Sequence, residues 1–200
     1  MKRKHFSILF LLLLAAGAWY GFRGYQQYLA PNTIKTGKLY IPTHASYLQV
    51  LDSLRPFLKN ERSFSRLAKK KRYPARILAG RYSITAGENN RQIWQKLALG
   101  RQDEIPIRIG NYSSIFELAG KVAPYLECDS AAIVGAALEA DFTAGMDTAA
   151  LLYFFVPNTY NFHWNLSGTQ FIQKMKREFD AFWTAKRLQE ADSLRMSPLE

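Results

Sequence analysis

The sequence contains little cysteine, little histidine and, over its first quarter, no acidic residue. Cys128 is the only cysteine among the 200 residues, so neither an internal disulfide nor a multi-cysteine zinc site can form. His5, His44 and His163 lie at no metal-ligand spacing from another histidine, cysteine or acid. The sequence also lacks a phosphate-binding glycine loop and a nucleophile elbow. It therefore predicts neither a bound metal nor a cofactor.

The clearest positive feature is an apolar run near the N-terminus. Residues 2–4 form a cationic head, and residues 6–22 are almost all apolar. At ~1.5 Å per residue this run reaches about 26 Å, close to the minimum for crossing a bilayer. Three cations precede this run, and Arg23, Lys35 and Lys38 follow it more sparsely, so the positive-inside rule predicts a cytoplasmic N-terminus. We therefore predict a first segment, 1–22, that anchors a single-pass protein of the inner membrane whose bulk lies outside the cytoplasm.

A cleaved signal peptide is the alternative reading of this run. The small residues at 16–18 resemble a cleavage site. However, Trp19, Tyr20 and Phe22 follow at once, which is typical of an aromatic belt at a membrane interface. These aromatic residues favour a retained anchor.

The charge balance is strongly basic. The sequence has 27 lysine and arginine residues against 16 acidic residues, so its net charge is +11. The head supplies three of these charges, which leaves +8 on the exported part. Such a surface suits nucleic acid, phospholipid headgroups or the carboxylates of the cell wall, and export argues against nucleic acid. The basic run at 59–76 is expected to be a solvated helix face or loop, with contact to wall or lipid as the alternative.

The residues after a polar linker at 23–38 predict two strand–helix pairs. Ser46 and Gln49 form a capping box that opens the first helix. Asn89 can cap the second helix, which Gly100 can end. The strands of the two pairs are predicted at 39–41 and 80–86.

From residue 105 onward, one strand pattern gives way to helical patterns. Alternating isoleucines at 105–109 predict a third strand, in which Pro106 suits an edge position. The residues predicted to cap the following helices are Ser114, in a capping box with Glu117, then Asp129, and Ser167, which opens the longest amphipathic helix. Together with the first two strand–helix pairs, these patterns predict an α+β fold.

The last four residues resemble the start of a helix. At 197–200 a serine N-cap precedes a proline at the first helical position and a glutamate at the third. We therefore expect that the sequence is a fragment and that at least one helix follows Glu200.

No residue is identified as a catalytic acid by its sequence context alone. The only candidates are Glu88, Glu117, Glu139 and Asp141. Glu117 is explained by capping, and Glu139 and Asp141 are placed at a helix end, where solvation is expected. Cys128 has no nearby base and is expected to pack as a small apolar residue.

Two stretches of the sequence resemble the YceG-like family, whose characterised members are membrane-anchored endolytic murein transglycosylases. The first is Gly80-x-Tyr82-x-Ile84-x-x-Gly87 with Ile93-x-x-x-Leu97-x-x-Gly100, and the second is Phe155-Val156-Pro157-Asn158-Thr159-Tyr160, which matches an L-F-P-D-T-Y element of the family. The resemblance covers essentially all of the chain after the linker.

The resemblance implies a LysM-like module at 39–104 and the first, incomplete part of a mostly helical catalytic domain at 105–200. It also implies a lyase that cleaves the bond from N-acetylmuramic acid to N-acetylglucosamine in nascent peptidoglycan. One glutamate would act as acid and then as base toward the sugar's own 6-hydroxyl, which leaves a 1,6-anhydro end. The family carries this glutamate in the helix after the long amphipathic one, so it is expected downstream of Glu200. The implied partners are peptidoglycan, the wall-synthesis machinery and the membrane through 6–22.

The sequence departs from the family pattern at two carboxylates. Residues 151–153, Leu-Leu-Tyr, replace Leu-Glu-Gly, and Asn158 replaces an aspartate, which puts an acid role for this element in doubt. The candidates for holding sugars are Asn158, Tyr160 and Trp164. The alternative for 157–160 is a rigid turn packed under the long helix. A non-catalytic, membrane-anchored protein that binds or scaffolds peptidoglycan is the alternative function.

Overall fold

The structure, a computed structural model, describes residues 2–144 and 146–196, and it describes the side chains from Phe10 onward within that part. The chain divides into a first unit that ends at Gln102 and a second unit that begins at Asp103. The predicted helix start at 197–200 lies outside the described residues. The fold is α+β, with small sheets and many helices.

The first unit contains two strands and four α-helices. Their bounds are α1 Lys2–Tyr28, β1 Gly37–Ile41, α2 Tyr47–Leu54, α3 Glu61–Lys70, β2 Gly80–Ile84 and α4 Asn90–Ala98. The strands pair antiparallel, with Leu39 opposite Tyr82. Ser46 and Asn89 each accept a hydrogen bond from the backbone three residues on and complete a capping box, as predicted for Ser46.

The N-terminal helix is present, but the structure does not support the membrane-spanning role predicted for 6–22. Among the described residues, no helix combines the length and the apolarity that crossing a membrane requires.

The predicted linker at 23–38 is also different in the structure. Helix α1 continues to Tyr28, and β1 begins at Gly37. Between them, Asn32 and Thr33 are buried, and both of their backbone N–H groups donate to the carbonyl of Glu88, at 2.8 and 3.1 Å. The polar composition of this segment indicates a linker. In the structure, however, backbone hydrogen bonds to the turn before α4 hold Asn32 and Thr33 in place.

A single apolar cluster fills the first unit. Alternation in the strands and i, i+3, i+4 spacing in the helices bring its members together. The cluster contains Leu39, Ile41, Val50, Leu51, Leu54, Phe57, Leu58, Phe64, Ala68, Tyr73, Tyr82, Ile84, Ile93 and Leu97. The Tyr82 hydroxyl is buried there and donates to the carbonyl of Leu78 at 3.0 Å, and burial raises the pKa of Tyr82 to about 12.

The second unit contains two strands and four α-helices among its described residues. Their bounds are β3 Glu104–Ile109, α5 Ile115–Val122, α6 Ser130–Glu139, β4 Asn158–His163, α7 Gly168–Phe182 and α8 Ala185–Ser193. The predicted N-caps Ser114, Asp129 and Ser167 are confirmed. Glu117, however, accepts hydrogen bonds from Ser113 instead of closing the predicted box on Ser114.

The two strands of the second unit form an antiparallel pair. Ile105 lies opposite Phe162, and Ile107 lies opposite Tyr160. The alternating inward side chains of both strands pack with α5, α6 and α7, where Phe162 and Phe171 approach to 5.2 Å between ring centroids. This pairing joins distant parts of the sequence and brings the loop after β3 beside the start of β4.

Candidate functional site

A groove lies in the second unit beside the paired ends of β3 and β4. It has a volume of about 500 Å³. The lining includes the loop after β3, the 3₁₀ segment Ala150–Phe154 and the C-terminal end of α7. We call it the aromatic groove, and it is lined by Gly110, Asn111, Tyr112, Leu118, Ala149, Leu152, Tyr153, Phe155, Val156, Pro157, Phe182 and Trp183.

A smaller polar cavity adjoins the aromatic groove. It has a volume of about 280 Å³ and shares Gly110, Asn111 and Pro157 with the groove. Its further lining includes Arg108 and Asn158, which the register of the two strands places at the same end of the sheet. The two cavities together present apolar rings at one end and amide and guanidinium groups at the other.

The rings of the aromatic groove are held by their own elements. Trp183 follows the last residue of α7, and its backbone N–H donates to the carbonyl of Phe179 at 3.1 Å. The rings of Trp183 and Phe182 meet edge to face with centroids 5.4 Å apart. Tyr153 remains 47% exposed although it lines the groove. The half-exposed ring of Tyr153, beside the contacting rings of Phe182 and Trp183, can stack against a flat, partly apolar ligand.

The groove offers binding groups but no acid. Among the described residues that line either cavity, none carries a carboxyl group. Leu152 lies in the groove, at the position where the resemblance places a glutamate. The arrangement can therefore hold a sugar through rings and amides, whereas proton donation to a glycosidic oxygen needs a carboxyl from elsewhere.

Of the three residues predicted to hold sugars, only Asn158 lines one of these two cavities. Its side chain is exposed, and its Oδ1 accepts a hydrogen bond from the backbone N–H of Thr159 at 2.8 Å. This local bond uses the oxygen and fixes the amide at the rim, so that the NH₂ group can face a ligand.

Tyr160 and Trp164 are placed by packing instead. Tyr160 is only 7% exposed, and its hydroxyl donates to the carbonyl of Val156 at 2.7 Å. Trp164 is half-buried against the apolar cluster of the second unit, and its carbonyl accepts a hydrogen bond from Glu127 at 2.8 Å. Alternation along β4 turns the Tyr160 side chain toward the core. The sugar-binding role of Tyr160 and Trp164 stays a prediction.

The four carboxylates considered from the sequence do not meet. Glu88 forms an ion pair with Lys96 in the first unit. In the second unit, Glu117 accepts hydrogen bonds from the N–H and hydroxyl of Ser113, which lower the pKa of Glu117. Glu139 and Asp141 are exposed at the end of α6. None of these side chains lines the aromatic groove.

The cysteine and histidine residues give no centre of their own. Cys128 is half-buried, and burial raises the pKa of its thiol above the ordinary value. No group of three histidine, cysteine or acidic side chains in the part of the chain that the structure describes could hold a metal ion.

The sequence patterns missed most of the aromatic groove. Tyr112, Tyr153, Phe182 and Trp183 were absent from the candidates. Phe182 is the last residue of α7 and Trp183 is its C-cap, where the helix leaves the core. No local pattern in the sequence marks these four side chains as lining one groove.

Comparison with known proteins supplies the context for this groove. The chain matches the YceG-like family over residues 39–200. A solved structure of a Listeria monocytogenes protein described as yceG-like shares 21% identity with it, with a TM-score of 0.40. The match covers 82% of this chain and 60% of the Listeria chain. No match was found among curated proteins.

Proposed function

Because the chain belongs to the YceG-like family, we propose that it takes part in endolytic cleavage of peptidoglycan and that its second unit holds the glycan strand in the aromatic groove. The family is one of endolytic transglycosylases and is generally membrane-associated. Nascent peptidoglycan strands are the proposed substrate, and the wall-synthesis machinery is the proposed source of those strands.

The observation that carries this proposal is the composition of the groove. A pyranose ring presents apolar C–H faces and polar edges. The exposed ring of Tyr153 suits a C–H face, while the amides of Asn111 and Asn158 suit acetamido and hydroxyl groups. An open groove of about 500 Å³ also suits a chain that enters and leaves along its length, as endolytic cleavage requires.

The proposed chemistry divides between binding and acid catalysis. The groove positions the strand, and a carboxyl with a raised pKa protonates the oxygen of the leaving sugar. The same carboxylate then takes the proton of the 6-hydroxyl as this oxygen attacks the anomeric carbon. No described carboxyl lines the groove, so this step is assigned to no described residue of the groove.

A direct binding experiment tests the groove. Tyr153→Ala should weaken binding of purified glycan strands by about tenfold, since stacking on one aromatic ring is worth roughly 1–3 kcal/mol. Tyr125→Ala is the matched control, because this tyrosine is similarly exposed, at 52%, and does not line the groove. Equal affinity of the two variants would remove the groove from the substrate path.

A cleavage experiment tests the chemistry. Glycan strands incubated with the 200-residue chain are searched by mass spectrometry for 1,6-anhydro ends, and none are expected. Anhydro ends from this chain would show that the catalytic acid lies within it. The same assay on the protein purified from its natural host should yield these ends.

A non-catalytic role is the second candidate. It is favoured by Leu152 and Asn158, which stand where the family pattern has carboxylates. Strand binding without anhydro ends from the protein of the natural host would favour this role over the enzyme.

A further inference from the structure

We propose, independently of glycan cleavage, that the first unit binds the phosphate headgroup of an anionic phospholipid in a cationic cavity beside the end of α1. The cavity has a volume of about 360 Å³. Arg23 from α1, Lys59 from the turn before α3 and Arg66 from α3 all line it. Three cations from separate parts of the unit thus converge on one concave surface, which is where an anion is bound most favourably.

Acidic side chains do not neutralise this cavity. None of its described lining residues is acidic. The carboxylate that begins α3, Glu61, is directed to Arg55, with 2.8 Å between its Oε2 and the Arg55 Nε. Arg55 also pairs with Asp52 at 2.9 Å. The nearby carboxylates of this turn are therefore satisfied outside the cavity. The Nε of Arg66 donates to the carbonyl of Arg62 at 3.3 Å, so none of the three lining cations is paired with these carboxylates.

A buried amide network fixes the wall of the cavity. Asn32 is 5% exposed, and its Nδ2 donates to the carbonyl of Asn60 at 3.0 Å and to the Oδ1 of Asn90 at 2.6 Å. Its Oδ1 accepts a hydrogen bond from the backbone N–H of Asn60 at 2.8 Å. Asn90 also donates from its Nδ2 to the carbonyl of Gln27 in α1 at 2.8 Å. The backbone that carries Lys59 is thereby fixed relative to α1 before any ligand binds.

The helix that contributes Arg23 indicates the source of the phosphate. The Arg23 guanidinium lies 4.8 Å above the ring of Trp19. Trp19, Tyr20 and Phe22 are 53%, 70% and 63% exposed, and the preceding side chains from Phe10 are exposed as well. About 6 Å of helix separates Phe22 from Gln26 in the cavity wall.

A phospholipid satisfies both features at once. Its phosphate suits the cations, and its acyl chains suit the exposed apolar and aromatic side chains that directly precede them, which is the usual arrangement of aromatic and cationic residues at a bilayer surface. A free phosphate would satisfy only the cavity.

Vesicle co-sedimentation of the full chain tests this site. Vesicles of phosphatidylcholine are compared with vesicles that also contain phosphatidylglycerol. The double variant Lys59→Gln/Arg66→Gln should lose about tenfold of its partitioning onto the anionic vesicles. The control, Arg62→Gln/Lys69→Gln, removes the same charge from exposed positions of the same helix that do not line the cavity. It should lose about twofold or less.

The remaining outcomes would each overturn the proposal. Equal losses for the two double variants would mean that diffuse charge, not the cavity, attracts the membrane. Binding of soluble glycerophosphate as tightly as anionic vesicles would identify a free phosphate as the ligand. If the variant Lys59→Gln/Arg66→Gln loses binding to acidic stem peptides of the wall but keeps its binding to anionic vesicles, the ligand of the cavity is a peptide. Circular dichroism of both variants confirms that the exposed substitutions leave the fold intact.

Discussion

Tyr160 shows, at the scale of one residue, how a motif position can serve packing. Its hydroxyl donates to the Val156 carbonyl inside the second unit. Tyr160→Phe should lower the free energy of unfolding by about 1 kcal/mol, because the carbonyl loses its partner. Urea denaturation measures the change, with Tyr125→Phe, an exposed ring, as the control. Glycan binding should stay unchanged, and a tenfold loss of binding would return Tyr160 to the site.

Glu117 gives a pH-dependent prediction at the same scale. Hydrogen bonds from the backbone N–H and then the hydroxyl of Ser113 hold the pKa of Glu117 below its ordinary value. Since the folded pKa lies below the unfolded one, the stabilisation is present above the unfolded pKa and is lost as the pH falls through the folded value.

NMR titration of the Glu117 carboxyl measures this effect. A midpoint below 4.5 is expected in the native chain. Ser113→Ala removes the hydroxyl donor and should raise the midpoint without restoring it fully, since the backbone donor remains. A native midpoint at or above 4.5 would contradict the prediction.

At the scale of elements, Gly168 sets the closest approach of two helices. A Cβ added at this first residue of α7 would meet the backbone carbonyl of Ala132 in α6, and the Ile133 nitrogen would lie only 3.0 Å away. Gly168→Ala should therefore cost about 1–3 kcal/mol of stability through overpacking. Thr169→Ala, at the next and exposed position, is the control. Urea denaturation that places both variants at the same stability would contradict this packing.

The helix starts could be predicted because they depend on neighbours in sequence. Ser46, Asn89 and Ser167 each satisfy a donor three residues on, so the signal is complete within one turn. The sequence signal for helix α3 is weaker. Its many cations indicated a solvated face or loop, yet Phe64 and Leu67 supply a buried stripe.

The strand β4 and the groove could not be predicted in the same way. The start of β4 follows Pro157. For residues 157–160 the sequence predicts either a sugar-binding element or a rigid turn. Its strand character depends on pairing with β3, which ends at Ile109, 49 residues before Asn158 begins β4. Because that pairing also brings Asn111 beside Asn158, the groove is a product of long-range contacts that local patterns do not contain.

At the scale of the molecule, the net charge of +11 predicts that binding to the charged cell wall depends on salt, whereas binding to neutral sugars does not. Adsorption to intact wall sacculi, which carry carboxylates, should weaken strongly as NaCl rises from about 0.05 M to about 0.5 M, because salt screens exposed charges. Binding of neutral N-acetylglucosamine oligomers in the aromatic groove should change little. A pull-down measures adsorption to the wall, and calorimetry measures binding of the oligomers. If both weaken equally as salt rises, charge and not stacking holds the sugars.

The segment from Pro31 to Ile34 has a mechanical consequence. It is bonded on two sides, to the Glu88 turn by the N–H groups of Asn32 and Thr33 and to Phe57 by the N–H of Ile34 at 2.9 Å. Detaching this segment from the first unit therefore requires that the bonds to both of these neighbours be broken. A freely jointed tether of the same length would have no such bonds to break.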